Sequence, residues 1–164
     1  LFLWGPNGAG KTSAAVVIAK EYRRRGETAL FMSASELKSA IINEEMFDAE
    51  QTLWERCRTV KVLIIDDLGK GVQDRTGFGK RSLDDLIRSR AGHQLVTFVT
   101  TNIEPNKKEV DPDDPTGPKK PQIESAVKLS TLHSFKECIV PIHFVGPDLR
   151  ETTKAELTQL LMGA

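Results

Sequence analysis

The sequence predicts an α/β protein built on a parallel sheet with helices on both faces. Two observations carry this. Short apolar segments alternate with segments of helical periodicity, the pattern of consecutive strand–helix crossovers. One of them, "KVLIID", is apolar without alternation, as a strand buried on both faces is. At 164 residues the chain is long enough for one domain with a sizeable core, and residues 1–164 are read as that single domain.

The elements follow in order. "LFLWG" is a short strand running into a glycine turn. From about Gly10 to Arg25 the spacing is helical and rich in alanine, with basic residues in the last turn and Gly26 as the stop. "TALFMS" is the second strand. "SASELKSAIINEEMF" begins a helix with Ser33 or Ser35 as N-cap and sets Leu37, Ile41 and Ile42 on one face. A short helix covers Ala49 to Cys57, and "KVLIID" is the third strand. "FGKRSLDDLIRSRAG" is a helix ending at Gly92, followed by "LVTFVTTN", a fourth strand rich in β-branched residues.

Residues 104–121, "EPNKKEVDPDDPTGPKKP", hold five of the eight prolines and read as a flexible, solvated loop without chemistry. A helix around Ile123 to Phe135 comes next. A fifth strand, "CIVPIHF", contains Pro141, which points to an edge position or a bulge. An amphipathic helix starts near Glu151. Because the chain opens on Leu1 without a methionine, directly in a strand, it reads as a fragment from which an N-terminal region is expected to be absent.

Composition is that of an ordinary globular protein, 39% apolar and 28% charged. The net charge is zero, so any basic surface for nucleic acid must be local. Cys57 and Cys138 are far apart, with no partner at metal-ligand spacing; Cys138 and His143 read as alternate positions of one strand. This usage suggests a reducing, cytoplasmic compartment and no structural zinc. No apolar run approaches the length of a membrane span.

The chemistry is concentrated where strands end. "GPNGAGKT" (Gly5, Pro6, Asn7, Gly8, Ala9, Gly10, Lys11, Thr12), followed by Ser13, matches G-x-x-x-x-G-K-[ST], with a strand before it and a helix after it. A triphosphate carries several negative charges, and such glycines let successive backbone N–H groups turn inward around them. Lys11 is expected to reach the β- and γ-phosphates, and the Thr12 hydroxyl to take a Mg²⁺ position. The third strand ends in adjacent carboxylates, Asp66 and Asp67. A polar turn closed by Gly69 would explain them alone. With the loop in place, Asp66 is expected to hold the Mg²⁺. Asp67 points differently because strand residues alternate, so it is expected to act as general base or to orient water. Asn102, ending "VTFVTTN", is expected to sense the γ-phosphate and the water, although Asn also commonly begins a turn.

At these residues the chain resembles the AAA+ ATPases, and within them the DnaC/DnaI-type replicative helicase loaders and the related IstB-type transposition helpers. The likeness runs through "GPNGAGKT", "FMSASEL", "LIIDDLG", "LDDLIRSR", "FVTTN" and "VGPDLR", nearly the whole chain. It implies a P-loop NTPase three-layer αβα sandwich, a five-stranded parallel sheet of order 5-1-4-3-2, and little or no lid domain. It also implies ATP and Mg²⁺ as ligands, ATP hydrolysis, a homo-oligomer with nucleotide at subunit interfaces, and delivery of a ring-hexamer helicase to single-stranded DNA. Because Asp67 is shorter than a Glu would be at that position, hydrolysis is expected to be slow. By the same resemblance Arg150 is the sensor arginine on the γ-phosphate. The family's arginine finger has no counterpart in "IESAVKLSTLHSF", where Lys128 is the one cation. Arg88 or Arg90 is the alternative source.

Between Lys70 and Arg90 stand six basic residues against three acids. Lys70, Arg75, Lys80 and Arg81 are therefore candidate phosphate contacts, with Phe78 available to stack on a base. A solvated helix face would carry the same charges. Other readings are a transposition helper acting on double-stranded DNA, a small-molecule kinase, for which an arginine-rich lid is wanting, and a nucleotide-binding scaffold with little turnover.

Overall fold

The unalternating segment around Ile64 becomes the most enclosed strand. The computed structural model describes residues 1–46, 53–69, 78–104, 108–109, 120–121 and 140–150. Its elements are β1 (Phe2–Trp4), α1 (Lys11–Arg24), β2 (Ala29–Ser33), α2 (Ala34–Met46), α3 (Leu53–Thr59), β3 (Val62–Leu68), α4 (Phe78–Gly92), β4 (Val96–Thr101), β5 (Lys108–Glu109), β6 (Lys120–Pro121) and β7 (Pro141–His143). Five strands pair in parallel in the order β2-β3-β4-β1-β7. Read from the other edge, with β7 as the fifth core strand, this is the expected order 5-1-4-3-2.

Strand alternation sorts the core into two layers. On one face Leu3, Val62, Ile64 and Phe98 pack under Ala15 and Ala19 of α1. On the other, Phe2, Leu63, Ile65 and Val99 meet Leu37 and Ile41 of α2, Trp54 and Cys57 of α3, and Leu83, Leu86 and Ile87 of α4. Each fully buried Leu or Ile side chain contributes roughly 1.5–3 kcal/mol. The small residues of α1 let that helix lie close to the sheet, which draws the loop before it over the strand ends.

Ser33 decides the start of α2. Its hydroxyl accepts the Glu36 N–H at 3.2 Å, and Glu36 Oε2 accepts the Ser33 N–H at 2.7 Å, a reciprocal capping box. The bond from the Ser33 backbone holds the Glu36 carboxyl below its usual range. Pro141 begins the edge strand, where its missing N–H spoils no second ladder.

A buried guanidinium joins three elements. Arg90 of α4 is fully buried; its Nη1 donates to the carbonyls of Cys57 (2.7 Å) and Val60 (2.8 Å), its Nη2 to that of Val96 (2.6 Å), and its Nε to Thr97 Oγ1 (2.9 Å). It closes the carbonyl end of α3 and fixes the start of β4. This corrects the expectation that Arg90 could serve a neighbouring subunit: the side chain is fully buried, and four of its five N–H donors are engaged by acceptors on α3, the turn after it and β4. Arg88 instead donates to Asp84 Oδ1 on its own helix at 3.0 Å, with its side chain 48% exposed.

Within the stretch read as a loop, β5 and β6 pair antiparallel, Lys108 opposite Pro121 and Glu109 opposite Lys120. The expected helix at 123–135, Lys128 within it, the helix from 151 and the first residues of the expected 49–57 helix lie outside the described residues. Among the described residues no helix is long and apolar enough to cross a membrane.

Candidate functional site

Strands β1, β3 and β4 deliver their C-terminal ends to one edge of the sheet, and the residues singled out by the motifs meet there. The loop Gly5–Gly10 connects β1 to α1. Gly10 caps α1 without a side-chain hydrogen bond, and the first turn of the helix carries no acid. Its N-terminal amides and positive dipole end thus face the loop, an arrangement that favours an anion. Lys11 is 7% exposed, and its side chain folds back beneath the loop. Its Nζ donates to the carbonyls of Gly5 (2.9 Å) and Pro6 (2.6 Å) and to Asn102 Oδ1 (2.8 Å).

The two aspartates are set apart by a bulge. In the β3–β4 ladder Ile65 pairs with Val99 and Leu68 with Thr101, so Asp66 and Asp67 together face Thr100 alone. Asp67 takes up the extra residue in the left-handed region, φ 58°, which Asp tolerates better than most side chains. The expectation that Asp67 turns away through ordinary pleating is corrected here: the backbone itself is re-aimed. Asp67 Oδ1 lies 3.4 Å from Asn102 Nδ2, which donates to it. Asp66 Oδ1 accepts the hydroxyls of Thr12 (2.8 Å) and Thr100 (2.6 Å).

These contacts tie the motifs into one network. Thr12 and Asp66 offer a hydroxyl and a carboxylate oxygen in mutual contact, hard ligands of the kind Mg²⁺ takes together with substrate phosphates. Among the described residues no group of three or more His, Cys, Asp or Glu is placed to hold a metal by protein ligands alone. The site fits a cation that arrives with a phosphate ligand.

The segment holding Arg150 also reaches the loop. The Leu149 N–H donates to the Gly8 carbonyl at 3.1 Å. Gly8, at φ +72°, lies so close to the Asp148 carboxylate that any Cβ there would overlap it. Asp148 Oδ1 accepts the Arg150 N–H at 2.9 Å, while the Arg150 side chain is exposed. Asp148 and Thr100 are site residues that motif reading did not assign. Thr100 was visible only as a polar residue in "VTTN", and Asp148 carried no signal beyond its place in "VGPDLR". Of the nucleic-acid candidates, Arg81 is exposed on α4. Phe78 and Lys80 begin that helix, with side chains outside the described set, and Lys70 and Arg75 lie outside the described residues.

A glycine-rich loop of the G-x-x-x-x-G-K-[ST] pattern wrapped onto a helix N-terminus, facing two acids at the end of β3 across the intervening β4, is the arrangement of the P-loop NTPase class, and the strand order is that of its AAA+ branch. Residues 1–112 match the AAA family, the ATPase family associated with various cellular activities, and the chain belongs to that family. Curated proteins gave no match. Among solved structures, AMPPCP-bound DnaA from Aquifex aeolicus superposes with a TM-score of 0.68 at 15% identity, covering 97% of this chain and 45% of that one. A DnaC helicase loader superposes at 0.67 with 19% identity, covering 88% and 76%. DnaI superposes at 0.59 with 21% identity, covering 90% and 70%. At these identities the likeness is one of fold. The chain spans 40% of a DnaA bound to AMPPCP and single-stranded DNA, and 45% of the Aquifex aeolicus DnaA.

Proposed function

We propose that this chain is an ATP-hydrolysing AAA+ module that loads or remodels a ring-shaped replicative helicase on single-stranded DNA. The observation that carries the ATPase part is the single hydrogen-bonded network Thr12–Asp66 and Lys11–Asn102–Asp67 at the carboxyl edge of the sheet. Phosphates lie on the loop Gly5–Gly10 and the first turn of α1, with Ser13 beside them. Lys11 turns its ammonium from loop carbonyls toward the β- and γ-phosphates. Mg²⁺, held through Thr12 and Asp66, would neutralise phosphate charge. Asp67 takes a proton from the attacking water, and Asn102 holds that water's position while reading the terminal phosphate. The products are ADP and phosphate. Arg150, on the segment seated against Gly8, supplies a further cation to the γ-phosphate.

Helicase loading is supported by the "SASEL" and "VGPDLR" segments and by the fold shared with the DnaC helicase loader and with DnaA bound to single-stranded DNA. The homo-oligomer, the cytoplasmic location and the DNA contacts of Lys70, Arg75, Phe78, Lys80 and Arg81 belong to the same proposal. The test is Mg²⁺-dependent ATP turnover with and without single-stranded DNA, with Lys11→Ala as control. Turnover that DNA stimulates, and that K11A abolishes, supports the reading. A parent protein that binds no ATP in the presence of Mg²⁺ would remove the enzyme, and turnover indifferent to DNA would remove the DNA-coupled part. Reversing the charges of Lys80 and Arg81 should weaken DNA binding while leaving ATP affinity unchanged.

A further inference from the structure

Between Asp66 and Asp67 sits a hydroxyl that the reaction scheme above leaves unused. Thr100 is 1% exposed, at the point of β4 that faces both acids of the bulge. Its Oγ1 donates to Asp66 Oδ1 at 2.6 Å and accepts the Asp67 N–H at 2.9 Å. A hydroxyl has one proton to give and lone pairs to receive, so it can bridge a carboxylate and an amide at once. In a regular ladder the Asp67 N–H would find its acceptor in the neighbouring backbone. The bulge removes that acceptor and the Thr100 side chain replaces it. Beyond the bulge Thr101 acts in a similar way, its Oγ1 donating to the Leu68 carbonyl at 2.6 Å.

We propose that Thr100 is a positioning residue for ATP hydrolysis. It holds the bulge that turns Asp67 out of the pleat, and it keeps Asp66 Oδ1 beside Thr12. This rests on the ATPase reading. Without the hydroxyl, the part-buried N–H of the left-handed Asp67 loses the acceptor that holds the bulge, and a straight register becomes the favoured repair. Asp67 would then swing away from Asn102, while Lys11, anchored on the Gly5 and Pro6 carbonyls, and the loop would keep their hold on phosphate.

The test compares Thr100→Val, nearly the same shape without the hydroxyl, with Thr100→Ser, which keeps it. Three quantities are read: ATP affinity, kcat, and hydrogen exchange at the Asp67 amide in the nucleotide-free protein. For T100V, kcat should fall about 100-fold with ATP affinity within about threefold of the parent. Its Asp67 amide should exchange at least tenfold faster while those of Val99 and Thr101 stay protected. T100S should restore kcat to within about fivefold of the parent and restore amide protection. Should T100V fail to fold, T100S alone decides: parent-like protection at Asp67 supports the proposal, and loss of protection overturns it. A T100V protein with parent kcat, or with an Asp67 amide still protected, also overturns it. An inactive parent sinks the ATPase reading and the proposal with it, so the two failures are told apart by the parent's own turnover.

Discussion

Lys11 and Asn102, 91 positions apart, are joined by a hydrogen bond of 2.8 Å from Nζ to Oδ1. The loop's cation is therefore held against the end of β4. In the proposed ATPase, a phosphate that takes over the ammonium would release the Asn102 carbonyl, so one side chain would link the loading of the loop to the geometry around Asp67. Lys11→Ala should weaken ATP binding by at least about 100-fold, ~3 kcal/mol, since a buried charged donor is removed from an anion site. Asn102→Ala should leave affinity within about threefold and lower kcat about 100-fold. Isothermal titration and steady-state turnover separate the two. An Asn102→Ala protein that loses binding as Lys11→Ala does would make Asn102 a support for the lysine and nothing more.

Asp67 is predicted to matter for turnover alone. Asp67→Asn keeps the size of the side chain and tolerates the left-handed φ of 58°, so the bulge and the loop should persist. ATP affinity should stay within about threefold, while kcat falls by about 10²–10⁴ as the proton acceptor is lost. If single-turnover hydrolysis in this variant matched the parent's, Asp67 would not be the base.

Much of this site could be read from residue order, and the parts that could not share a physical cause. The convergence of the loop, Lys11, Thr12 and Asp66 was legible because the phosphate and cation chemistry expected of them sets those residue types at fixed spacing. The burial of β3 was legible because "VLII" leaves no polar face. The bulge at Asp66 and Asp67 was not, since two consecutive aspartates look the same in a pleated strand and in a displaced one. Only the β4 register and the Thr100 hydroxyl distinguish them. Arg90 read as an alternative arginine finger or a charge on a solvated helix face, yet carbonyls in α3 and just after it draw it inside. Both surprises come from contacts more than 30 positions away along the chain, which local patterning does not encode.

Two glycines with similar backbone angles should answer differently to alanine. Gly8 has φ +72° and presses on Asp148, whereas Gly26 has φ +83° and meets nothing within 4 Å. Gly26→Ala should cost only the left-handed strain, about 1–2 kcal/mol, seen as a lower melting temperature with ATP affinity unchanged. Gly8→Ala must also displace the Asp148 carboxylate, which accepts the Arg150 N–H beside the loop, so ATP affinity should fall at least tenfold. Comparable affinity in the two variants would show that the Asp148 contact yields without disturbing the loop.

Cys57 of α3 is fully buried and donates to Met32 Sδ at 3.2 Å. Burial pushes its thiol up to about 11 from an ordinary value of 9.0, with the nearby Arg90 and Arg56 charges pulling the other way. The folded protein therefore keeps a proton that the unfolded chain releases. The sign follows directly: this contribution is complete below pH 9.0 and is lost as pH rises through about 11. Within that window the loss is at most about 1.4 kcal/mol per pH unit. Other groups also titrate there, so the informative quantity is a difference. Cys57→Ala should start with a lower melting temperature at pH 8, because the deletion leaves a small cavity. Its melting temperature should then decline less steeply than the parent's between pH 9 and 11. Parallel declines in the two proteins would mean that the thiol ionises as easily in the folded core as in water, contrary to its burial between α3, β2 and Arg90.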